Sequence, residues 1–338
     1  MLFSSLKILV FCLLILLLGC GKKSPLPHEL SFYYWKSKWA LSPKETQTLQ
    51  QLKVKKLYVK FFDIKWDLAS GKILPVAQLQ ADSTCRTEHR EIVPCVFIEN
   101  QVFQHLDTTE IPGFAHVVAH KLNQKSAQFP KAGIGEVQID CDWSQSTRAS
   151  YFSFLQCLKT LWGKEISSTI RLHQIKYRRV TGVPPVTKGI LMCYNLGALQ
   201  DVKENNSIFN LPLLKDYTQR IDEYPLKLDI ALPIYEWTVV FRNQRFVYVL
   251  NAPQTMLDTL QLQQGEGNRF TSLTSTRIGE RTLLKGDLLR RESVADEELA
   301  ETVTWFDEKL KNYTIVFYHL KEQNLVSHEG VFRVIPTF

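Results

Sequence analysis

Short apolar runs rich in β-branched and aromatic residues recur along this chain, most of them followed by a helical pattern or a long loop. Eight such runs have the length of a β-strand: 30–36, 56–64, 92–100, 136–143, 168–174, 189–195, 226–237 and 314–320. Helical patterns cover 43–53, 113–126, 147–162, 211–223 and 294–311. Eight strands joined by crossovers predict an α/β fold of the (β/α)8 barrel type.

A doubly wound parallel sheet is the competing fold. The number of strands argues against it, and so does the lack of a glycine-rich phosphate loop after the first strand. The barrel is expected to be irregular, because the segment 238–293 is long for one crossover. This segment opens with a predicted hairpin of 238–241 and 245–250 and continues as a polar stretch. We therefore expect one barrel domain, 30–338, with an insertion at 238–293 before the last strand.

The N-terminus carries the pattern of a secretion signal. Lys7 precedes the apolar run 8–18, which is about half as long as the roughly 20 residues of a membrane span, and Gly19 and Cys20 follow it. This order resembles the lipobox of bacterial lipoproteins, which implies a signal peptide over 1–19, lipidation of Cys20 and a tether over 20–29. The alternative is an uncleaved anchor with Cys20 as a free thiol. Attachment to a membrane of the bacterial cell envelope is the expected location.

The composition is that of a globular protein, with 45% hydrophobic and 22% charged residues, which excludes a disordered chain or a multi-span membrane protein. The basic residues form no continuous stripe, so we do not expect a nucleic-acid partner. No cysteine spacing resembles a zinc site, and no metal or organic cofactor is expected. Cys85 and Cys95 flank a polar segment, and an oxidising periplasm would permit either a disulfide between them or two free thiols.

Polar and aromatic residues accumulate at the predicted carboxyl ends of the strands, where barrels of this type place their active sites. Flat aromatic faces beside hydrogen-bonding groups suit a sugar, which presents apolar C–H faces and a ring of hydroxyls. The predicted substrate-binding residues are Trp35, Trp143, His173, Tyr194, Asn195, Tyr235 and Trp237. The predicted catalytic carboxylates are Asp63, Asp140, Asp142 and Glu236.

Asp140 and Asp142 are the most specific feature of this group. Strand alternation places both on one face, with Cα atoms about 6.6 Å apart. Carboxylates so close can push their pKa values apart, which leaves one as an acid near neutral pH. A purely structural role, in which Lys60, Arg171 or backbone amides bind these aspartates, is the alternative.

At these residues the chain resembles the family 18 chitinase-type barrels and related bacterial envelope proteins. The fourth strand of those enzymes carries Asp-x-Asp-x-Glu, and here Gln138, Asp140 and Asp142 occupy the three positions. The segments 192–195 (Met-Cys-Tyr-Asn) and 233–236 (Pro-Ile-Tyr-Glu) are similar to the family's Met-x-Tyr-Asp and Pro-x-Tyr-Gly. The resemblance implies a glycoside-hydrolase-like barrel with Asp142 in the place of the catalytic acid.

These observations predict a lipid-anchored envelope protein that binds a carbohydrate. In the enzymatic form of this hypothesis Asp142 is the general acid, Asp140 modulates it, and Asp63 or Glu236 supplies the second carboxylate. In the alternative the protein is not catalytic, and the barrel is a scaffold that binds a glycan or a protein partner.

Overall fold

The computed structural model describes residues 27–81, 87, 90–130, 132–251 and 254–337. Its strands are Glu29–Tyr34 (β1), Lys56–Asp67 (β2), Lys72–Val76 (β3), Glu91–Ile98 (β4), Glu136–Asp140 (β5), Glu165–Arg171 (β6), Lys188–Met192 (β7), Lys227–Pro233 (β8), Trp237–Arg242 (β9), Arg245–Leu250 (β10), Leu262–Gln264 (β11), Arg269–Ser272 (β12), Thr276–Ile278 (β13), Arg281–Leu283 (β14), Leu288–Glu292 (β15) and Thr314–Tyr318 (β16). The predicted signal peptide, Cys20 and Cys85 lie outside the described residues.

The helices are Pro43–Gln51 (α1), Asn100–His105 (α2), Ile111–Ser126 (α3), Arg148–Trp162 (α4), Leu172–Lys176 (α5), Arg178–Thr181 (α6), Leu211–Tyr217 (α7), Gln254–Leu257 (α8), Asp296–Asp307 (α9), Glu322–Ser327 (α10) and Glu329–Val334 (α11). Five of the helices in the described residues, α1, α3, α4, α7 and α9, lie in the segments predicted as helical, and the others were not predicted. Within the described part of the chain, no helix is long and apolar enough to cross a bilayer.

Eight parallel strands close into a barrel, which confirms the predicted fold class. Strand β1 pairs with both β16 and β2, and the remaining order is β16, β8, β7, β6, β5, β4, β2. Strand β3 is antiparallel to β2 and extends it outward as a hairpin. Because all eight barrel strands are parallel, their carboxyl ends meet at one rim.

The barrel interior is polar at its lower end, where the strands begin. Lys188 Nζ lies 2.9 Å from Asp229 Oδ2 and 3.2 Å from Glu136 Oε2, and Ser167 Oγ donates to Glu136 Oε1 at 2.6 Å. Buried charges require such partners, because desolvation of an unpaired ion is costly. The buried charges of this layer therefore have partners within the barrel.

One level higher, Tyr33 donates its hydroxyl hydrogen to Gln138 Oε1 at 2.8 Å. Cys95 is buried beside Gln138, with its Sγ 3.4 Å from the same amide oxygen. The disulfide considered for Cys95 has its other member, Cys85, outside the described residues, and it stays a prediction.

The segment between β8 and α9 forms an insertion with a core of its own. Its main sheet has five antiparallel strands in the order β10, β9, β15, β12, β11, and β13 and β14 form a separate hairpin. Its buried apolar residues pack as a cluster distinct from that of the barrel: Val240, Tyr248, Leu250, Leu257, Ile278, Leu283 and Leu289. Residues 238–250 form the predicted hairpin, whereas the polar stretch that follows forms strands that its composition does not indicate.

Candidate functional site

A cleft of about 480 Å³ opens at the rim where the carboxyl ends of the barrel strands meet. It is lined by Trp35, Asp63, Phe97, Asp140, Arg171, Met192, Tyr194, Asn195, Tyr235, Glu236, Trp237, Asn251, Tyr318, His319, Lys321, Gln323 and Asn324. Eight of the residues predicted from the sequence lie here, because the barrel brings distant strand ends together.

Aromatic rings form one wall of the cleft, with Tyr318 at their centre. The Tyr318 ring centroid lies 5.0 Å from that of Tyr194, 5.6 Å from that of Tyr235 and 5.8 Å from that of Trp35. Trp237 packs edge to face on Tyr235 at 5.3 Å. These rings pack against one another in tilted and edge-on arrangements. The aromatic wall is therefore formed by contacts within the protein and needs no ligand.

Asp140 lies at the bottom of the cleft, at the end of β5, and only 8% of its surface is exposed. Thr169 Oγ1 donates a hydrogen bond to Asp140 Oδ1 at 2.7 Å. Burial raises the pKa of Asp140 to about 6, although the nearby Arg171 guanidinium acts in the opposite direction. A carboxyl group with this pKa changes its protonation state near pH 6, which is well above the range of an exposed aspartate.

Asp63 is the second carboxylate of the cleft floor. Its Oδ2 lies 3.1 Å from Lys60 Nζ, whereas Oδ1 is buried and has no hydrogen-bond partner within the described structure. Burial raises the pKa of Asp63, and Lys60 partly offsets that effect. Asp63 and Asp140 both lie level with Phe97 across the sheet, which places their Cα atoms about 9–10 Å apart.

Asp142 does not line this cleft with Asp140, and its role as the general acid stays a prediction. Strand β5 ends at Asp140, so the alternation that would have placed both aspartates on one face stops there. Arg171 donates to both oxygens of Asp142, with Nε 2.5 Å from Oδ1 and Nη2 3.0 Å from Oδ2. Asp142 is half-exposed and lines an adjacent cleft of about 390 Å³. Of the two aspartates, Asp140 has the surroundings of an acid.

Trp143 was predicted to bind the substrate, and this is wrong because its ring is buried and cannot support a sugar. Only 1% of its surface is exposed, and its indole stacks on Tyr151 at 5.2 Å. Its Nε1 donates to the carbonyl oxygen of Thr181 at 2.9 Å. The chain turns after β5, and this turn directs the indole toward the surrounding helices instead of the rim.

The other predicted residues divide between the two clefts. Tyr235 donates to Asn195 Oδ1 at 2.6 Å, and Glu236 accepts a hydrogen bond from Gln323 Nε2 at 2.8 Å. His173 is in α5 instead of a strand, is exposed, and lines the adjacent cleft with Asp142. Burial lowers the pKa of His173, and the charge of Asp142 opposes this shift.

Several cleft residues were not among the predicted set, although one signal for them was present. Tyr318 and His319 end the last strand, where the fold places functional side chains. Burial lowers the pKa of His319 to about 4, so its imidazole is neutral at pH 7. Lys321, Gln323 and Asn324 follow in the chain and reach the cleft from the start of α10. Nothing in their local pattern distinguishes them from ordinary surface residues.

No group of three or more His, Cys, Asp or Glu residues in the described ranges could hold a metal ion. The cleft instead offers carboxylates, amides, one guanidinium and aromatic rings. These groups can bind hydroxyl-rich, partly apolar ligands, and Asp140 can exchange a proton with them.

No protein-family model matches this sequence, and no curated protein matches it at a significant level. Solved structures do match. The spore cortex-lytic enzyme SleL of Bacillus megaterium superposes with a TM-score of 0.57 at 9% identity over 94% of this chain and 76% of its own. A chitinase from Chromobacterium violaceum gives 0.52 at 12% identity, over 92% and 100% of the two chains. A chitinase-like agglutinin from Robinia pseudoacacia gives 0.53 at 10% identity, over 90% and 98%. This protein therefore has the closed eight-stranded barrel fold of the family 18 chitinase-like and SleL-type proteins.

Proposed function

We propose that this protein is a lipid-anchored component of the bacterial cell envelope that binds a glycan in the cleft at the barrel rim. The observation that carries the proposal is the cleft itself, where an aromatic wall centred on Tyr318 faces the carboxylates of Asp63 and Asp140. Ligand sites of this size combine apolar surfaces with a few convergent polar groups. The structural neighbours include a chitinase and a chitinase-like agglutinin, whose names support a carbohydrate as the ligand.

Binding is tested with the full-length protein in detergent against the N-acetylglucosamine tetramer and a panel of envelope and storage polysaccharides. Trp35→Ala should weaken the binding of any positive ligand about 10-fold, because the ring lines the cleft. Trp66→Ala is the matched control, since Trp66 is also partly exposed but stacks on His105 outside the cleft. Equal losses in both variants would argue against the cleft as the site.

Hydrolysis is a second candidate function, and one pair of groups favours it. Asp140 has a pKa of about 6 and is separated from Asp63 by one intervening strand. In this mechanism Asp140 donates its proton to the leaving glycosidic oxygen, and Asp63 accepts a proton from a water that attacks the anomeric carbon. Carboxyl groups about 6.5–9.5 Å apart suit such an inverting reaction.

The enzymatic proposal is tested by release of reducing ends from each polysaccharide that binds. Asp140→Asn should abolish release and leave binding within a few-fold of the wild type, whereas Asp142→Asn should retain activity. If Asp142→Asn is inactive and Asp140→Asn is active, the assignment of the acid is reversed. If no bound polysaccharide is cleaved by the wild type, the protein is a glycan-binding scaffold.

Lipid anchoring is proposed at Cys20, because Lys7, the apolar run 8–18 and Cys20 follow one another in the order of a lipobox. Glu29 begins β1 at the end of the barrel opposite the cleft. An anchor at Cys20 would therefore leave the cleft open to a glycan. Radiolabelled palmitate should enter the wild type and not Cys20→Ser, and only the wild type should fractionate with membranes. Equal labelling of both proteins would exclude Cys20 as the acylated residue.

A further inference from the structure

Trp237 and Glu292 face each other across two antiparallel strands where the insertion leaves the barrel. Trp237 begins β9, Glu292 ends β15, and the two are register partners. The indole Nε1 of Trp237 donates to Glu292 Oε2 at 2.8 Å. Trp237 lines the cleft, whereas Glu292 is 2% exposed and contacts no open space of the cleft. The Glu292 carboxylate therefore binds the Trp237 indole without lining the cleft itself.

The same carboxylate binds the loop that follows β7. Glu292 Oε2 also accepts hydrogen bonds from Ser207 N at 2.9 Å and Ser207 Oγ at 2.6 Å. Its other oxygen accepts from Arg290 Nε. These four donors restrict the buried Glu292 carboxylate to one position, because the loss of any of the hydrogen bonds would leave a buried polar group without a partner.

Arg290 extends this hydrogen-bond network to the backbone of the loop that follows β7. Its side chain is fully buried, and its guanidinium donates to the carbonyl oxygens of Asp201 at 2.6 Å, Glu204 at 3.0 Å and Leu199 at 3.1 Å. The loop over 196–207 begins directly after Asn195, which lines both clefts. The insertion thus orders one wall of the cleft through the pair of Arg290 and Glu292.

We propose that Glu292 is a positioning residue for ligand recognition, which fixes the plane of the Trp237 ring at the cleft wall and joins it to the loop 196–207. Its consequence for affinity rests on the proposed glycan-binding function. An aromatic ring that is already oriented loses less freedom when a ligand packs on it, so the free protein is prepared for binding. Loss of this orientation should weaken binding without removal of any ligand contact.

Glu292→Gln tests the positioning role, and a control variant is needed for the loss of one buried negative charge from the insertion. The buried Arg290 guanidinium attracts the one remaining carbonyl oxygen, because a bond from a charged donor is the stronger one. The new amide NH₂ group then faces the N–H of Trp237 Nε1 and the backbone N–H of Ser207, which are themselves donors. The Trp237 indole N–H thus loses its hydrogen-bond acceptor, while the size and the packing contacts of the ring stay the same. Asp287→Asn is the matched control, since Asp287 is 1% exposed in the same insertion, pairs with Arg242 and does not line the cleft.

The first measurement needs no ligand. In full-length protein labelled with ¹⁵N at tryptophan, the Trp237 indole N–H, assigned by its absence in Trp237→Phe, should exchange slowly with solvent in the wild type and in Asp287→Asn. In Glu292→Gln it should exchange at least 10-fold faster. Unchanged exchange in Glu292→Gln would overturn the proposal, whatever the protein binds. If Glu292→Gln does not fold, Glu292→Asp is measured instead, because it keeps the charge for Arg290 and withdraws the acceptor by one methylene.

The second measurement is a double-mutant cycle with the N-acetylglucosamine tetramer. Glu292→Gln should weaken binding about 10-fold in the wild-type background and less than twofold in Trp237→Phe, since its effect passes through the indole. Equal weakening in both backgrounds would overturn the positioning role. If the wild type does not bind the tetramer, the glycan proposal fails for this probe, and the exchange measurement alone decides the role of Glu292.

Discussion

Arg171 and Asp142 form a two-point ion pair at the barrel rim, with donor–acceptor distances of 2.5 and 3.0 Å. The same guanidinium also acts on Asp140, where it opposes the effect of burial on the carboxyl pKa. Two aspartates separated by one residue thus have opposite surroundings. Asp142 is half-exposed and paired, whereas Asp140 is buried and has a pKa of about 6. The cleft therefore contains the buried aspartate, whereas the ion-paired one lines the adjacent cleft.

Asp142→Asn should lower the pKa of Asp140 below about 6. The negative charge of Asp142 raises that pKa, and its removal also frees Arg171 to stabilise the ionised form of Asp140. The shift is measured by ¹³C NMR titration of the Asp140 carboxyl. Asp67→Asn, in the exposed hairpin of β2 and β3, should leave the titration unchanged. A pKa that stays at about 6 or rises would show that Asp142 does not act on Asp140.

Asp140→Asn should increase the free energy of unfolding at pH 7.5 by about 3 kcal/mol, since a pKa raised from 3.8 to about 6 corresponds to about 1.4 kcal/mol per unit. The folded state binds the Asp140 proton more tightly than the unfolded state. Its contribution is fully present below pH 3.8 and is lost as the pH rises through about 6. The neutral asparagine does not suffer that loss. Urea unfolding at pH 7.5 and pH 3 measures the difference, which should nearly vanish at pH 3; a variant less stable than the wild type at pH 7.5 would contradict the expectation.

Trp35→Ala and Trp143→Ala should separate binding from stability. Trp143 is 1% exposed and packs on Tyr151, so its truncation should cost about 3–5 kcal/mol of unfolding free energy. Trp35 is partly exposed in the cleft, and its truncation should mainly reduce glycan affinity. Chemical denaturation and ligand titration of both variants test this contrast. If Trp143→Ala were as stable as the wild type, its buried placement would be wrong.

Gly189→Ala should destabilise the barrel by about 1–3 kcal/mol through overpacking. A Cβ atom at Gly189 would lie 2.7 Å from Ile170 Cγ1 and 2.8 Å from Leu228 Cδ2, on the two neighbouring strands. Gly113→Ala is the control, because a Cβ there meets nothing within 4 Å and the site is helical. Thermal unfolding should show a lower Tm for Gly189→Ala alone. Equal Tm values would mean that the β6–β8 contact can relax without cost.

The cleft at the barrel rim was predictable in outline because each strand end is a local feature of the chain. Asp63, Trp35 and Tyr235 were identified as rim residues from the runs that precede them, and the parallel barrel brings them together. Lys321, Gln323 and Asn324 could not be found in this way. They reach the cleft through the placement of α10 against the barrel, which depends on contacts distant in sequence.

The amino-acid sequence by itself determined the eight strands, their parallel closure and the position of the insertion, because alternating and helical apolar patterns arise from local geometry. Only the tertiary structure decided which of the rim residues share one cavity. Strand β5 ends at Asp140, so Asp142 turns toward Arg171 and Trp143 turns inward against Tyr151. A strand stops where its neighbours stop pairing with it, and that point depends on β4 and β6, not on the residues of β5 alone. The surroundings that give Asp140 a pKa of about 6 likewise come from several strands at once.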